Sequence, residues 1–218
     1  MKKRSGPFSR LSLVSRLSLG LALCLLSSCA SKPPMAIAPA PIVLPAIADI
    51  PQFSLPLTVT QAYQAIPHQR TEFDSVFSDV PTAEKAYLEL MFPLIDQAIT
   101  VRVSTLRAYT SGDRTEAGIT QYQSLIDFVH TITPPSSMGA YHNDIVLALQ
   151  AQKAFFQDWR TKSRGFSYKG NATGNHPQIQ TASRHLRAAY NRLMSQFPQE
   201  DSINKSAFFD YHCALDFI

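Results

Sequence analysis

MGAYHNDIVLALQAQKAFFQDW, residues 138–159, decides the fold. Met138, Tyr141, Ile145, Ala148, Leu149, Gln152, Phe155, Phe156 and Trp159 fall three or four residues apart. That spacing lines up along one face of an α-helix and along no face of a strand. Pro134-Pro135 bars helix upstream, and Ser136 or Ser137 offers the cap.

On either side the same period recurs. Ile119, Tyr122, Leu125, Ile126, Val129 and Ile132 mark a helix over 115–132. Before it, Ala83, Tyr87, Leu90, Met91, Leu94, Ala98, Val101, Thr105 and Ala108 mark another, starting near Pro81 with Asp79 as cap and kinked at Pro93. Ser111-Gly112-Asp113 turns the chain between the two. A fourth helix opens at Pro177, places Ile179, Ala182, Leu186, Ala189, Tyr190, Leu193 and Phe197 inward, and stops at Pro198. Ile203, Ala207, Phe208, Tyr211 and Leu215 form a short amphipathic tail. The expectation is an all-α domain over 57–218, an antiparallel four-helix bundle with a short C-terminal helix.

The N-terminus has a different character. Lys2, Lys3, Arg4, Arg10 and Arg16 precede an apolar run over 17–26, the layout of an export signal and too short to span a bilayer comfortably. The run ends in Leu26-Ser27-Ser28-Cys29, which resembles the lipobox of bacterial lipoproteins. The resemblance implies removal of residues 1–28, with a diacylglycerol on Cys29 and further acylation of the new amine. It also implies the outer membrane, because Ala30 stands where inner-membrane lipoproteins often carry Asp. Residues 29–56 hold Pro33, Pro34, Pro39, Pro41, Pro45, Pro51 and Pro56. Such a segment favours extended, polyproline-like chain and reads as a tether, either free or docked on the domain through Ile42, Val43, Leu44 and Ile47.

Cleavage before Cys29 alters the charge. Five of the 20 Lys and Arg lie ahead of it and none of the 16 Asp and Glu does, leaving 15 basic against 16 acidic side chains. The overall net charge of +4 therefore belongs to the signal, and nothing in it points to nucleic acid. Cys213 is the one thiol left, which rules out an intramolecular disulfide.

Glu-x-x-His, His-Glu-x-x-His, Cys-x-x-Cys-His and Gly-x-Ser-x-Gly are all missing, so the sequence suggests neither a metal, nor a cofactor, nor a nucleophilic enzyme. His212 beside Cys213 is no dyad on a helix, where neighbours point about 100° apart. Two features rise above this background. Between Lys153 and Arg192 eight basic residues meet one acid, while six acids and one Lys lie between Glu72 and Asp96. Either the two groups complement each other within the bundle, or the basic one meets an anionic partner. The connection over 162–176 is also long for a bundle, with Arg164, Phe166, Tyr168 and Lys169 set among glycines. Together with Arg160 and Lys162 these residues are the first candidate binding surface. His68 and Arg70, in Pro67-His68-Gln69-Arg70-Thr71, are the second, with Arg70 expected to pair with Asp74. The functional expectation is a lipid-anchored envelope protein facing the periplasm, a non-enzymatic interaction or scaffold domain for an envelope protein or an anionic surface. The alternative is a binding protein that holds a small ligand or metal in its bundle or long loop.

Overall fold

A computed structural model describes residues 43–162 and 175–217. Within them the chain forms α1 (Val59–Gln64), α2 (Thr82–Thr110), α3 (Ala117–Thr131), α4 (Gly139–Thr161), α5 (Pro177–Gln196) and α6 (Ser202–Leu215), with short 3-10 turns at Ile47–Asp49 and Ser136–Met138. There is no strand among the described residues, and the fold class is all-α. No helix of the described residues is long and apolar enough to cross a membrane.

The stripes on α3 and α4 are buried at every expected position, and that on α5 at all but half-exposed Tyr190. Side-chain pairs fix the directions. Glu116 meets Arg160 at 3.2 Å while Tyr122 reaches Gln152, so α3 runs antiparallel to α4. His176 reaches Asp158 while Arg192 reaches Asp144, so α5 runs back along α4. Ser183 bonds Asp216 while Phe197 lies near Phe208, so α6 reverses again. Phe92 stacks on Tyr211 and Arg102 binds the Ala214 carbonyl, which sets α6 parallel to α2. The short C-terminal helix is thus a fifth wall, closing the bundle between α5 and α2. Its Ala207, Phe208, Tyr211, Ala214 and Leu215 are buried, whereas Ile203, expected inside, stays exposed.

α2 departs most from an amphipathic wall. Leu88, Phe92, Ile95, Ile99 and Val103 are buried beside the predicted stripe, and Ala83 is exposed. A helix apolar all round is a central one. Its second face is covered by α1 and by the arm before it: Phe53, Leu55, Leu57 and Val59 pack on the core, alternating with the outward Gln52, Ser54, Pro56 and Thr58. Gln97 of α2 donates to Gln52. The described part of the proline-rich segment is therefore docked, and the domain begins ahead of residue 57. The helix passes through Pro93 unbroken. Asp79 does not cap it, nor do Ser136 and Ser137 cap α4; Ser137 bonds Glu84 instead.

Two glycines have steric reasons. Gly112 turns the chain with φ +95°. A Cβ on Gly118 would fall 2.0 Å from Thr105 Oγ1, so its hydrogen is what lets α3 lie this close to α2.

The end of α6 enters the middle of the bundle, and each neighbouring helix grips it. Arg102 of α2 donates to the Ala214 carbonyl at 2.7 Å, and Gln152 of α4 to that of Leu215 at 2.7 Å. Tyr122 of α3 donates to the Gln152 side chain at 2.9 Å, and Ser183 of α5 to Asp216. Phe217 packs on Phe155 and Phe156, with the Arg102 guanidinium 5.2 Å above its ring. These carbonyls are the orphan acceptors of a helix end, met here by side chains rather than by water.

Candidate functional site

Arg164, Phe166, Tyr168 and Lys169 lie outside the described residues, as does Cys29. The ends of that connection are described and are stitched together. Asp158 takes both Lys162 Nζ at 2.9 Å and His176 Nε2 at 2.8 Å, and Arg114 donates to the Lys162 carbonyl at 2.7 Å. Arg160 pairs with Glu116. Arg160 and Lys162 thus serve the join between α3, α4 and α5, although exposed pairs of this kind add little stability.

The second cluster is built more deeply. Arg70 does not meet Asp74. Its Nη2 lies 2.8 Å from Asp96, which also accepts from Tyr63 OH at 3.0 Å, and its Nη1 meets Glu72. Burial pushes the Asp96 carboxyl above its usual range, and the Arg70 bonds pull it partly back. His68 is half-buried nearby in the chain and has no hydrogen bond to another described residue.

From Arg70 onward the connector is pinned to α6. Thr71 donates to Asp210 at 2.6 Å, and Phe73 packs against Phe92 and Phe208. Asn204, wholly buried, accepts from Asp74 N at 2.7 Å and donates to the Asp74 carbonyl at 3.0 Å. Ser78 donates to Glu200 at 2.7 Å, Val80 is buried, and Lys85 Nζ caps the Ser78 carbonyl. Between the pins, Asp74 Oδ1 accepts from Val76 N at 3.0 Å and from Phe77 N, forming a tight turn. The turn holds Val76 82% and Phe77 77% exposed, with exposed Asp74 and Asp79 on either side. Nothing periodic in the sequence marks this tip.

On the far flank of α6 a groove of about 280 Å³, open to solvent, is lined by Leu186, Arg187, Tyr190, Phe209, His212, Cys213 and Asp216. His212 donates from Nδ1 to the Phe208 carbonyl, its Nε2 is buried without a partner, and burial pushes the imidazole down to about 4. Burial likewise pushes the Cys213 thiol up, against the thiolate that a nucleophile needs.

The charge pattern resolves into particular pairs. Lys153, Arg160, Lys162 and Arg192 are engaged by Gln123, Glu116, Asp158 and Asp144. Arg184 and Arg187 are exposed and, among the described residues, bond only within their own helix, to Thr181 and the Ser183 carbonyl. Of the six acids in 72–96, Glu72 and Asp96 turn to Arg70 and Glu84 to Ser137 rather than to these cations. Among the described residues no three His, Cys, Asp or Glu side chains are placed to share a metal ion. Comparison of the chain with family models, curated proteins and solved structures yields no match, so its own residues carry the functional reading.

Proposed function

We propose that this is a lipid-anchored envelope protein whose helical domain works by binding other proteins rather than by catalysis. Leu26-Ser27-Ser28-Cys29 at the end of an export-type apolar run carries the reading. Two or more acyl chains on one residue hold a protein at a membrane firmly, where one alone binds marginally. Ala30 favours the outer membrane, with the domain in the periplasm. The buried Asp96 supports an interaction role, because Arg70 and Tyr63 engage it for anchoring a connector, and that connector lifts Val76 and Phe77 into water. Large apolar side chains held out by a built scaffold mark contact surfaces.

Fatty-acid labelling tests the anchor. Wild-type chain should be labelled and cleaved, and Cys29→Ser should be neither; normal cleavage with label on the Ser variant would refute it. Photo-crosslinkers at Phe77 and at Tyr168 then compare the tip with the long loop. Capture of envelope proteins from neither position would remove the interaction role.

A further inference from the structure

The six large apolar side chains exposed among the described residues are unevenly placed. Val43 and Ile47 belong to the arm, and the other four, Val76, Phe77, Ile203 and Phe209, belong to α6 or to the connector pinned on it. α6 therefore closes the bundle with one face, and on the other it sets Ile203 and Phe209 in water among Ser202, Lys205 and Ser206. Between the two flanks of α6 the charge changes sign. At the connector end stand the exposed Asp74, Asp79 and Asp201. At the groove, α5 has no acid in its 20 residues and exposes Arg184 and Arg187 with no carboxylate within ion-pair distance among the described residues. The groove floor is apolar, from Leu186, Tyr190 and Phe209. The one lining acid, Asp216, is already held by Ser183 and by Phe217 N.

An apolar tip with an acidic base and an apolar groove with a cationic flank are complementary, and one chain carries both. They cannot satisfy each other within one molecule, since the tip stands in water there. Asn204, which pins the tip, and His212, which lines the groove, are eight residues apart on α6, roughly 12 Å at 1.5 Å per residue. A two-fold axis that exchanges tip and groove would bring each tip to the other copy's groove, a closed arrangement that leaves neither surface over. We propose that this face is where two copies of the chain meet, the Val76–Phe77 tip of each entering the α5–α6 groove of the other. The proposal rests on the interaction reading above, and it names the partner as a second copy.

Cys213 lines the groove and supplies the probe. In full-length chain expressed in its envelope, Val76→Cys treated with a short bis-maleimide should give a product of twice the chain mass. That product should vanish when Cys213→Ser is added and fall at least tenfold with Phe77→Asp. Asp79→Lys and Arg187→Glu should each weaken it, and the two together should restore it, because every copy then carries both reversed charges. All three positions are exposed, so the variants should fold as the parent does. A product of another mass that survives Cys213→Ser would mean a different protein occupies the tip, and no product at all would mean the tip is unoccupied; either overturns the proposal. Fatty-acid labelling of the same samples reads the anchor separately. Dimer without label would refute the anchor and keep the docking, and label without dimer the reverse.

Discussion

Two polar clusters hold this molecule together, and they face opposite ways. At the end of α6, Arg102, Gln152, Tyr122 and Ser183 draw the chain into the centre, where Phe217 completes an aromatic cluster. Ahead of α6 and along it, Glu200, Asn204 and Asp210 hold the connector with comparable hydrogen bonds, yet what they position is Val76 and Phe77 in water. Stability alone explains the first arrangement. It does not explain the second, because burying a Val or Phe side chain is worth about 1.5–3 kcal/mol that the tip forgoes. The proposed interaction role would use that exposure.

The widest separation between the two regions should appear in their aromatic residues. Trp159, 1% exposed, lies against Tyr109 and Phe155 in the cluster beneath the C-terminal end. Trp159→Ala should cost about 3–5 kcal/mol in denaturant unfolding. A loss below about 1 kcal/mol would mean that the cluster can collapse around the gap and is not the centre of the fold.

Arg70→Ala should come next, at about 3–4 kcal/mol, since it leaves a buried carboxylate without its cation. Adding Asp96→Asn should recover much of that loss, as the amide needs no counter-ion. If the double variant unfolds as readily as the single one, the cost lies in lost packing of the arginine stem, and the pair is not what secures the connector.

Acid should act through His212. Its folded pKa of about 4 lies below that of the unfolded chain, so the neutral imidazole is fully compatible with the fold above roughly pH 6.5. As the pH falls toward 4 the unfolded chain takes up a proton that the folded one refuses, and roughly 3 kcal/mol is lost over that window. His212→Asn, which can keep a donor for the Phe208 carbonyl, should flatten the dependence. Equal slopes for the two proteins would assign the acid sensitivity to other groups.

How much of this was legible beforehand depended on the range of each interaction. The stripes on α3, α4 and α5 were readable because each helix buries one face and the period is local. α2 was read as one-sided because its second face is covered by the arm and α1. The arm itself had a signal in the alternation of Phe53, Leu55, Leu57 and Val59, which the prolines obscured. α6 looked like a tail because fourteen residues with an exposed Ile203 give a weak pattern. The connector offered Arg70 and its acids as candidates but no period to say what they meet. Its pins join Asp74 to Asn204 across 130 positions, and Arg70 passes over nearby Asp74 for Asp96, 26 residues on. Single Asn, Asp and Arg residues carry no period, so only the folded chain reveals their partners.

The smallest expected effect on stability is the most informative about function. Phe77→Asp replaces an aromatic ring with a charge, a change that would be severe anywhere in the core. At 77% exposure the ring covers little, and the turn that holds it is made by Asp74 and the main chain, both untouched. The stability change should therefore stay within about 0.5 kcal/mol. The added charge joins Asp74 and Asp79, whose mutual repulsion in water is small and screened by salt, which sets the sign slightly unfavourable at low ionic strength. Unfolding curves of the two proteins should overlay at moderate salt while association through the tip is lost. A destabilisation above about 2 kcal/mol would show that Phe77 is held against the domain in solution. The tip would then be part of the core, like Trp159, and the contrast between the two ends of α6 would disappear.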